Sequence, residues 1–459
     1  MAEQFKEQGG AATMDPSSFY RWLSSAITRR IMAPERLTKN RFRIERQRVK
    51  SGAKHVIEYF HQVDDGYSHL AAQTLAGIVE RYDIELHCYL VKGPQGKNSA
   101  EPEMLLELSR YDSIQIAPHY GLEFPKQSSA PEPALLELAT MILAEQDNQS
   151  FVDCAAQVGD ALWGGDRARM KALAQEYGSS LSTEVAAKVA VGNTRRARLK
   201  HYSGAMFYYG GEWYWGIDRL HHLEKRLVQL GVGAQTHSSL LMPQPKMPAT
   251  NLVDNGRLTL EFYPSLRSPY TAIVFDKVVA LANDSGVKLN VRPVLPMVMR
   301  GVPATREKGL YIFSDASREA RESNIAFGNF YDPIGDPVRR CYSLYPWACE
   351  QGKGTALLSS FLAAAFAEGI NTNNDKGLKK VLKKAGLSWD EAKTIVGQKG
   401  WQSLLEANRL AMYEAGLWGV PSLRLINEKG EQLLGLWGQD RLWLVAQEIQ
   451  QQLAARQQR

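Results

Sequence analysis

Hydrophobic and polar positions alternate in the stretch "RLTLEFYPSLRSPYTAI", where Leu258, Leu260 and Phe262 share one face at a period of two, as in a strand, until Pro264 breaks the run. Ser268 and Pro269 then restart the chain with an N-cap residue and a proline at the first helical position. Such a strand-to-helix turn aims backbone N–H groups at whatever lies above it. The helix dipole adds partial positive charge there, which favours a thiolate or another anion. A second stretch, "EYFHQVDDGYSHL", aligns with this one without a gap at a shift of 203, pairing Glu58 with Glu261, Tyr59-Phe60 with Phe262-Tyr263, and Tyr67 with Tyr270. "WGIDRL" (215–220) and "WGQDRL" (437–442) form another pair in the same order, so the pattern predicts a duplicated domain.

Each half follows one plan. A strand and a helix (55–82; 257–285) lead to a second apolar strand, "IELHCYLV" or "VKLNVRPVL". A long helical stretch follows (about 133–190; 350–415), then a hairpin with glycine at its turns, "GAMFYYGGEWYWG" or "SLRLINEKGEQLLGLWG". A last helix is expected to start after Asp218 or Asp440, both suitable caps. The order predicts an α/β chain of two tandem thioredoxin-like domains, each with an inserted all-helical subdomain. The expected boundaries are a basic N-terminal helix and arm (1–54), a degenerate thioredoxin-like domain (55–230), a Pro-, Gly-, Ser- and Asn-rich linker (231–256) and a second thioredoxin-like domain (257–455).

At 459 residues the chain is long enough for two or three cores. With 44% hydrophobic and 23% charged residues it reads as a soluble globular protein. The four cysteines (Cys88, Cys154, Cys341, Cys349) match no zinc spacing and no Cys-x-x-Cys pair, so they are expected to be reduced thiols, and no metal site is expected. No segment has the length and purity of a transmembrane helix, and no basic start precedes a long apolar run, so the expected location is cytoplasmic. The net charge is +6, yet residues 29–54 hold ten Lys or Arg against two Glu, which leaves −2 for the rest. Before this arm, Phe19, Leu23, Ile27 and Ile31 recur every four residues with no acid among residues 17–34. The readings open at this point are a helix docked on the body or on a partner, a membrane-surface or targeting helix, and attachment of a partner through the basic arm. Nucleic acid is not expected, because stacking aromatics are nearly absent from the arm.

"SPY", "KGLYIFSDASREA" (308–320), "GVPSL" (419–423) and "WGQDRLWLV" (437–445) together resemble the 2-hydroxychromene-2-carboxylate isomerases and kappa-class glutathione transferases, within the DSBA-like thioredoxin superfamily. The resemblance implies glutathione as cofactor or cosubstrate. By position it implies Ser268 as the residue whose hydroxyl meets the glutathione sulfur, and Val420-Pro421 as a cis-proline turn whose backbone pairs with the cysteinyl part. It further implies that Gln439 and Asp440 hold the γ-glutamyl end. Lys308 matches a family lysine, although "RGVPATRE" replaces the Gly-Asn and Pro-Pro that usually precede it. Helix-terminal charge and a hydroxyl donor lower a thiol's pKa, so the chemistry of Ser268 agrees with the resemblance.

The first half departs at each of these positions. Asp65 stands where Ser268 does, Ser203 falls near the place of Pro421, and Ile217 replaces Gln439. A carboxylate repels a thiolate, so this half is not expected to be a second glutathione site. The aromatic hairpin from Phe207 to Trp215 reads as core or interface, with ligand stacking as the other reading. His221-His222 reads as part of a solvated helix face, and Cys341 and Cys349 as residues of a Pro- and Tyr-rich connector.

The expected function is a glutathione-dependent isomerase or transferase acting on a small aromatic or unsaturated electrophile. The rival reading is a non-catalytic, degenerate thioredoxin-fold module that holds a peptide or protein. A thiol-disulfide oxidoreductase ranks third, because neither active turn carries a cysteine.

Overall fold

The computed structural model describes residues 15–126, 128–233, 239–302 and 304–457. Residues 1–14 of the basic arm, 234–238 of the expected linker and Pro303 before Lys308 lie outside the described residues. The chain divides into two compact units, one of Thr38–Lys246 and one that joins Met1–Leu37 to Met247–Arg459. No helix among the described residues is long and apolar enough to cross a membrane.

The chain opens with α1 (Ser18–Met32), capped by Ser17, and α2 (Pro34–Ser51). In the first unit β1 (Val56–His61) leads into α3 (Gly66–Ala72) and α4 (Leu75–Arg81), then β2 (Glu85–Leu90) and α5 (Pro102–Ile116). The helical insert is completed by α6 (Pro133–Glu145), α7 (Asn148–Trp163), α8 (Arg167–Tyr177) and α9 (Ser182–Arg198). The hairpin of β3 (Met206–Tyr209) and β4 (Glu212–Trp215) and the helix α10 (Leu220–Gln229) close the unit. The sheet order is β2-β1-β3-β4, with β1 parallel to β2 and antiparallel to β3. Both faces of β1 are covered, which is why it reads as a nearly unbroken buried run. Gly210 and Gly211 make the hairpin turn at φ +51° and +88°, the positive values that a tight two-residue turn demands. Phe207, Tyr209 and Tyr214 are buried in the core, while Tyr208, Trp213 and Trp215 remain partly exposed.

In the second unit β5 (Thr259–Tyr263) leads into α11 (Pro269–Ser285), β6 (Lys288–Val291) and α12 (Arg306–Glu322). Its insert holds α13 (Asp336–Glu350), α14 (Gly354–Phe366), α15 (Asp375–Ala385), α16 (Trp389–Ile395) and α17 (Trp401–Glu414). The hairpin of β7 (Ser422–Ile426) and β8 (Gln432–Trp437) precedes α18 (Leu442–Gln457). The sheet order is β6-β5-β7-β8, with the same pattern of one parallel and two antiparallel pairs. Glu261, buried in the central strand, meets Arg292 at 2.7 Å and Arg424 at 3.2 Å and accepts from the Tyr263 hydroxyl.

Four expectations need correction. The stretch around Cys341 and Cys349 is the helix α13, with Pro346 inside it, rather than a connector. The two cysteines stand eight positions apart along this helix, and both thiols are free. His221 and His222 are buried, not part of a solvated face. Arg219, not Asp218, stands at the N-cap of α10, and the last helices begin at Leu220 and Leu442, directly after the short 3-10 turns 217–219 and 439–441 that contain Asp218 and Asp440. Finally, α1 buries Arg21, Ser25 and Met32, while Phe19 (63% exposed) and Ile27 (50%) of the expected apolar stripe face outward.

That inverted packing has a polar cause. Arg21 Nη1 donates to the carbonyls of Asp332 and Ile334 at 2.8 and 2.6 Å, and Ser25 Oγ accepts from the Asp332 N–H at 2.9 Å. At the far end, Ser317 and Arg321 of α12 donate to the Met32 carbonyl, the last of α1.

Candidate functional site

The turn between β5 and α11 carries the site. Ser268 caps α11 with extended backbone, its hydroxyl accepting from the Thr271 N–H at 3.2 Å, and Pro269 opens the helix as the sequence predicts. The same hydroxyl lies 3.5 Å from the Val420 carbonyl, a long and weak hydrogen bond. The Val420–Pro421 peptide bond is cis, the conformation expected for it. Ser268, Val420 and Pro421, 152 residues apart in sequence, are thus brought together.

The proline turn is held from both sides. Ser422 Oγ donates to the Gly419 carbonyl at 2.7 Å, and the Gly438 N–H donates to the Pro421 carbonyl at 3.0 Å. Gly419 has no room for a side chain, because a Cβ there would lie 2.3 Å from the Trp437 ring nitrogen. Gly438 follows at φ +116° and turns the chain into the 3-10 turn of Gln439, Asp440 and Arg441. Gln439 Nε2 donates to Glu319 of α12 at 2.8 Å, which leaves its carbonyl oxygen as an acceptor. Asp440 lies beside the buried Arg441, 3.7 Å from its guanidinium. Lys308 sits in the first turn of α12 behind the Thr305 cap, half-buried, and burial pulls its ammonium below the ordinary lysine value.

The sequence alone did not single out the support of this turn. Arg267, immediately before Ser268, pairs bidentately with Asp332 at 2.9 and 3.0 Å. Burial alone pushes the Asp332 carboxyl up, but the Arg267 guanidinium, with the Ile334 N–H and Arg21, outweighs it and holds the group below the usual carboxylate range. Arg21 of α1 and Arg267 therefore meet at one short segment, 332–334. Glu319 lies within "KGLYIFSDASREA", and its contact with Gln439 has no local signature. Tyr270 adds a further tie, its hydroxyl donating to Asp315 at 2.9 Å.

In the other unit Asp65 occupies the corresponding cap, accepting from the Ser68 N–H and hydroxyl at 3.0 and 2.9 Å. Burial pushes its carboxyl up to about 6, Asp64 adds to the rise, and the Ser68 hydrogen bonds oppose it.

Residues 259–450 match the family model described as the DSBA-like thioredoxin domain. Similar solved structures include a 2-hydroxychromene-2-carboxylate isomerase, at 20% identity and a TM-score of 0.36, covering 44% of this chain and 97% of that one. The cytosolic disulfide reductase DsbM from Pseudomonas aeruginosa is similar at 18% identity and a TM-score of 0.33, covering 42% and 99%. A probable DsbA oxidoreductase from Streptomyces coelicolor matches at 18% identity and a TM-score of 0.33, covering 42% and 89%. No curated protein matches the chain. The C-terminal half thus carries a DSBA-like thioredoxin domain.

Proposed function

We propose that this C-terminal domain binds glutathione and uses its thiol to isomerise, or to conjugate, a small aromatic or unsaturated electrophile. The observation that carries the reading is the Ser268 hydroxyl at the start of α11, 3.5 Å from the Val420 carbonyl, at a turn without cysteine. Bound there, glutathione would supply a nucleophilic thiolate. Ser268 would turn its hydroxyl from the distant Val420 oxygen toward the sulfur, and the first turn of α11 would add its dipole. Gln439, its amide nitrogen committed to Glu319, would offer its carbonyl oxygen to the γ-glutamyl ammonium, with Asp440 supplying charge. Val420 would pair by its backbone with the cysteinyl part, beside Pro421, and Lys308 would serve the glycine end. A cytoplasmic location goes with this chemistry, since it requires reduced thiols.

We also propose that the two units descend from one duplicated domain. Partnerships repeat at the 203-residue shift: Tyr67 donates to Asp112 as Tyr270 does to Asp315, and the Gln62 N–H donates to Ser68 Oγ as the Ser265 N–H does to Thr271 Oγ1. The first copy has lost the serine, the proline and the glutamine, and serves another purpose.

The rival reading, a non-catalytic module holding a peptide, is favoured by the engagement of Gln439 with Glu319. Calorimetry with glutathione separates the two. The enzyme reading expects one site per chain, untouched by Asp65→Ala, with Ser268→Ala raising the pKa of the bound thiol. Absence of binding at millimolar glutathione overturns it.

A further inference from the structure

The N-terminal unit holds a cleft of about 190 Å³ between the turn after β1, the segment after β2, the start of α5 and the end of β4. Its described lining contains two carboxylates, Asp64 and Asp65, and no Lys, Arg or His. Asp65 is 8% exposed, and the hydrogen bonds it receives come from neutral donors of Ser68. The charged neighbour that acts on it is Asp64, of the same sign. Gln62 steadies Asp64 through a hydrogen bond of 3.0 Å. A buried carboxylate beside a second one, with no cation in the lining, is an arrangement that a bound cation would relieve.

The cleft also carries apolar side chains, with neutral Ser and Gln residues between them. Tyr67 and Trp215 meet edge to face at 5.6 Å, with Leu105 on the same cleft. Aromatic faces attract an organic cation as well as its hydrocarbon body. Calcium or magnesium takes six or more oxygens, whereas Asp64 Oδ1 and Asp65 Oδ2 already accept from Gln62 and Ser68 and the rest of the polar lining is neutral Gln and Ser. A thiolate or carboxylate ligand would meet like charge.

We propose that this cleft is a binding site for a small organic amine, with Asp64 and Asp65 taking its ammonium group and Tyr67, Trp215 and Leu105 packing against an apolar or aromatic body. The site belongs to a different unit from the thiol site and has the opposite charge preference.

The test uses the full chain with 2-phenylethylamine as the probe and phenylacetate as its anionic counterpart, followed by calorimetry and tryptophan fluorescence near neutral pH. One amine site per chain is expected, with phenylacetate failing to bind. Asp65→Asn should weaken the amine by about tenfold or more, one charge-assisted contact being lost. Asparagine still caps a helix, so circular dichroism should show α3 and its surroundings intact. Trp215→Leu should also weaken binding, whereas Ser268→Ala and added glutathione should leave it unchanged, which keeps this outcome independent of the thiol site. The proposal is overturned by no binding at millimolar amine, by equal binding of phenylacetate, or by a folded Asp65→Asn protein of unaltered affinity.

Discussion

Replacing Arg21 with methionine keeps the buried hydrocarbon stem and removes the guanidinium. Two hydrogen bonds are lost, to the carbonyls of Asp332 and Ile334 at 2.8 and 2.6 Å. Hydrogen bonds from a charged donor contribute about 1.5–3 kcal/mol each. Part of that is recovered, because Arg21 is 1% exposed, its Nε has no partner among the described residues, and its desolvation no longer has to be met. The expected net loss is about 2–4 kcal/mol of local stability. A chain of two units has no single unfolding free energy, so the suitable assay is native-state hydrogen exchange of the Asp332 and Ile334 amides. These donate to Ser25 Oγ and to the Asp332 carboxylate, and they report on the segment that Arg21 braces. Protection should fall by roughly 30- to 1,000-fold, at tenfold per 1.4 kcal/mol. Arg21→Lys, with charge but no fork, should fall between. A change in Arg21→Met below about 0.5 kcal/mol, the level of an ordinary surface substitution, would refute the claim that α1 is held by this side chain.

Two further outcomes follow from the ionisable groups. The Asp332 carboxyl is lower in the folded chain than the unfolded value, so its ionised form stabilises the fold above about pH 4 and the contribution is lost as pH falls through the folded value. The local stability advantage of the wild type over Asp332→Asn should therefore be full at neutral pH and shrink in acid; native-state hydrogen exchange of the surrounding segment that shows a constant gap across pH would contradict the pairing with Arg267. Burial pushes up the thiols of Cys88 and Cys341, that of Cys154 to about 12, and, more mildly, that of the exposed Cys349. Iodoacetamide near neutral pH should label Cys349 first and slowly and the other three only on unfolding, as peptide mass spectrometry would show.

Local rules reached much of this structure. Ser268 and Pro269 announce their helix because a cap and a first-turn proline act within a few residues, and the hairpins show themselves through glycine and alternation. The cis peptide at Pro421 was expected from a resemblance of motifs, not from spacing. What stayed hidden depends on distant partners. A period-four apolar stripe names the docked face of a helix only if burial of hydrocarbon decides the packing, and in α1 the carbonyls of residues 332 and 334 decide it through Arg21. In α13 the proline and tyrosine content masked a helix whose Tyr342 and Tyr345 hydroxyls reach the carbonyls of Val294 and Val291. The support of Ser268 by Arg267 and Asp332 joins residues 65 positions apart, beyond the reach of any local signal.

The bond from Arg21 to Asp332 spans 311 positions, and it changes what the boundaries of the C-terminal domain mean. A ribosome delivers α1 long before the segment that receives it, so the carbonyl clamp on residues 332–334 closes only after nearly three quarters of the chain has emerged. Until then Arg21 and Ser25 stay hydrated. A fragment cut at residues 259–450 would contain every side chain of the candidate thiol site and still leave the Asp332 and Ile334 carbonyls without their donor. Anyone excising the domain should carry the 18–32 helix along, joined by a linker or added in trans, and its rebinding offers a direct handle on the loop beneath Ser268.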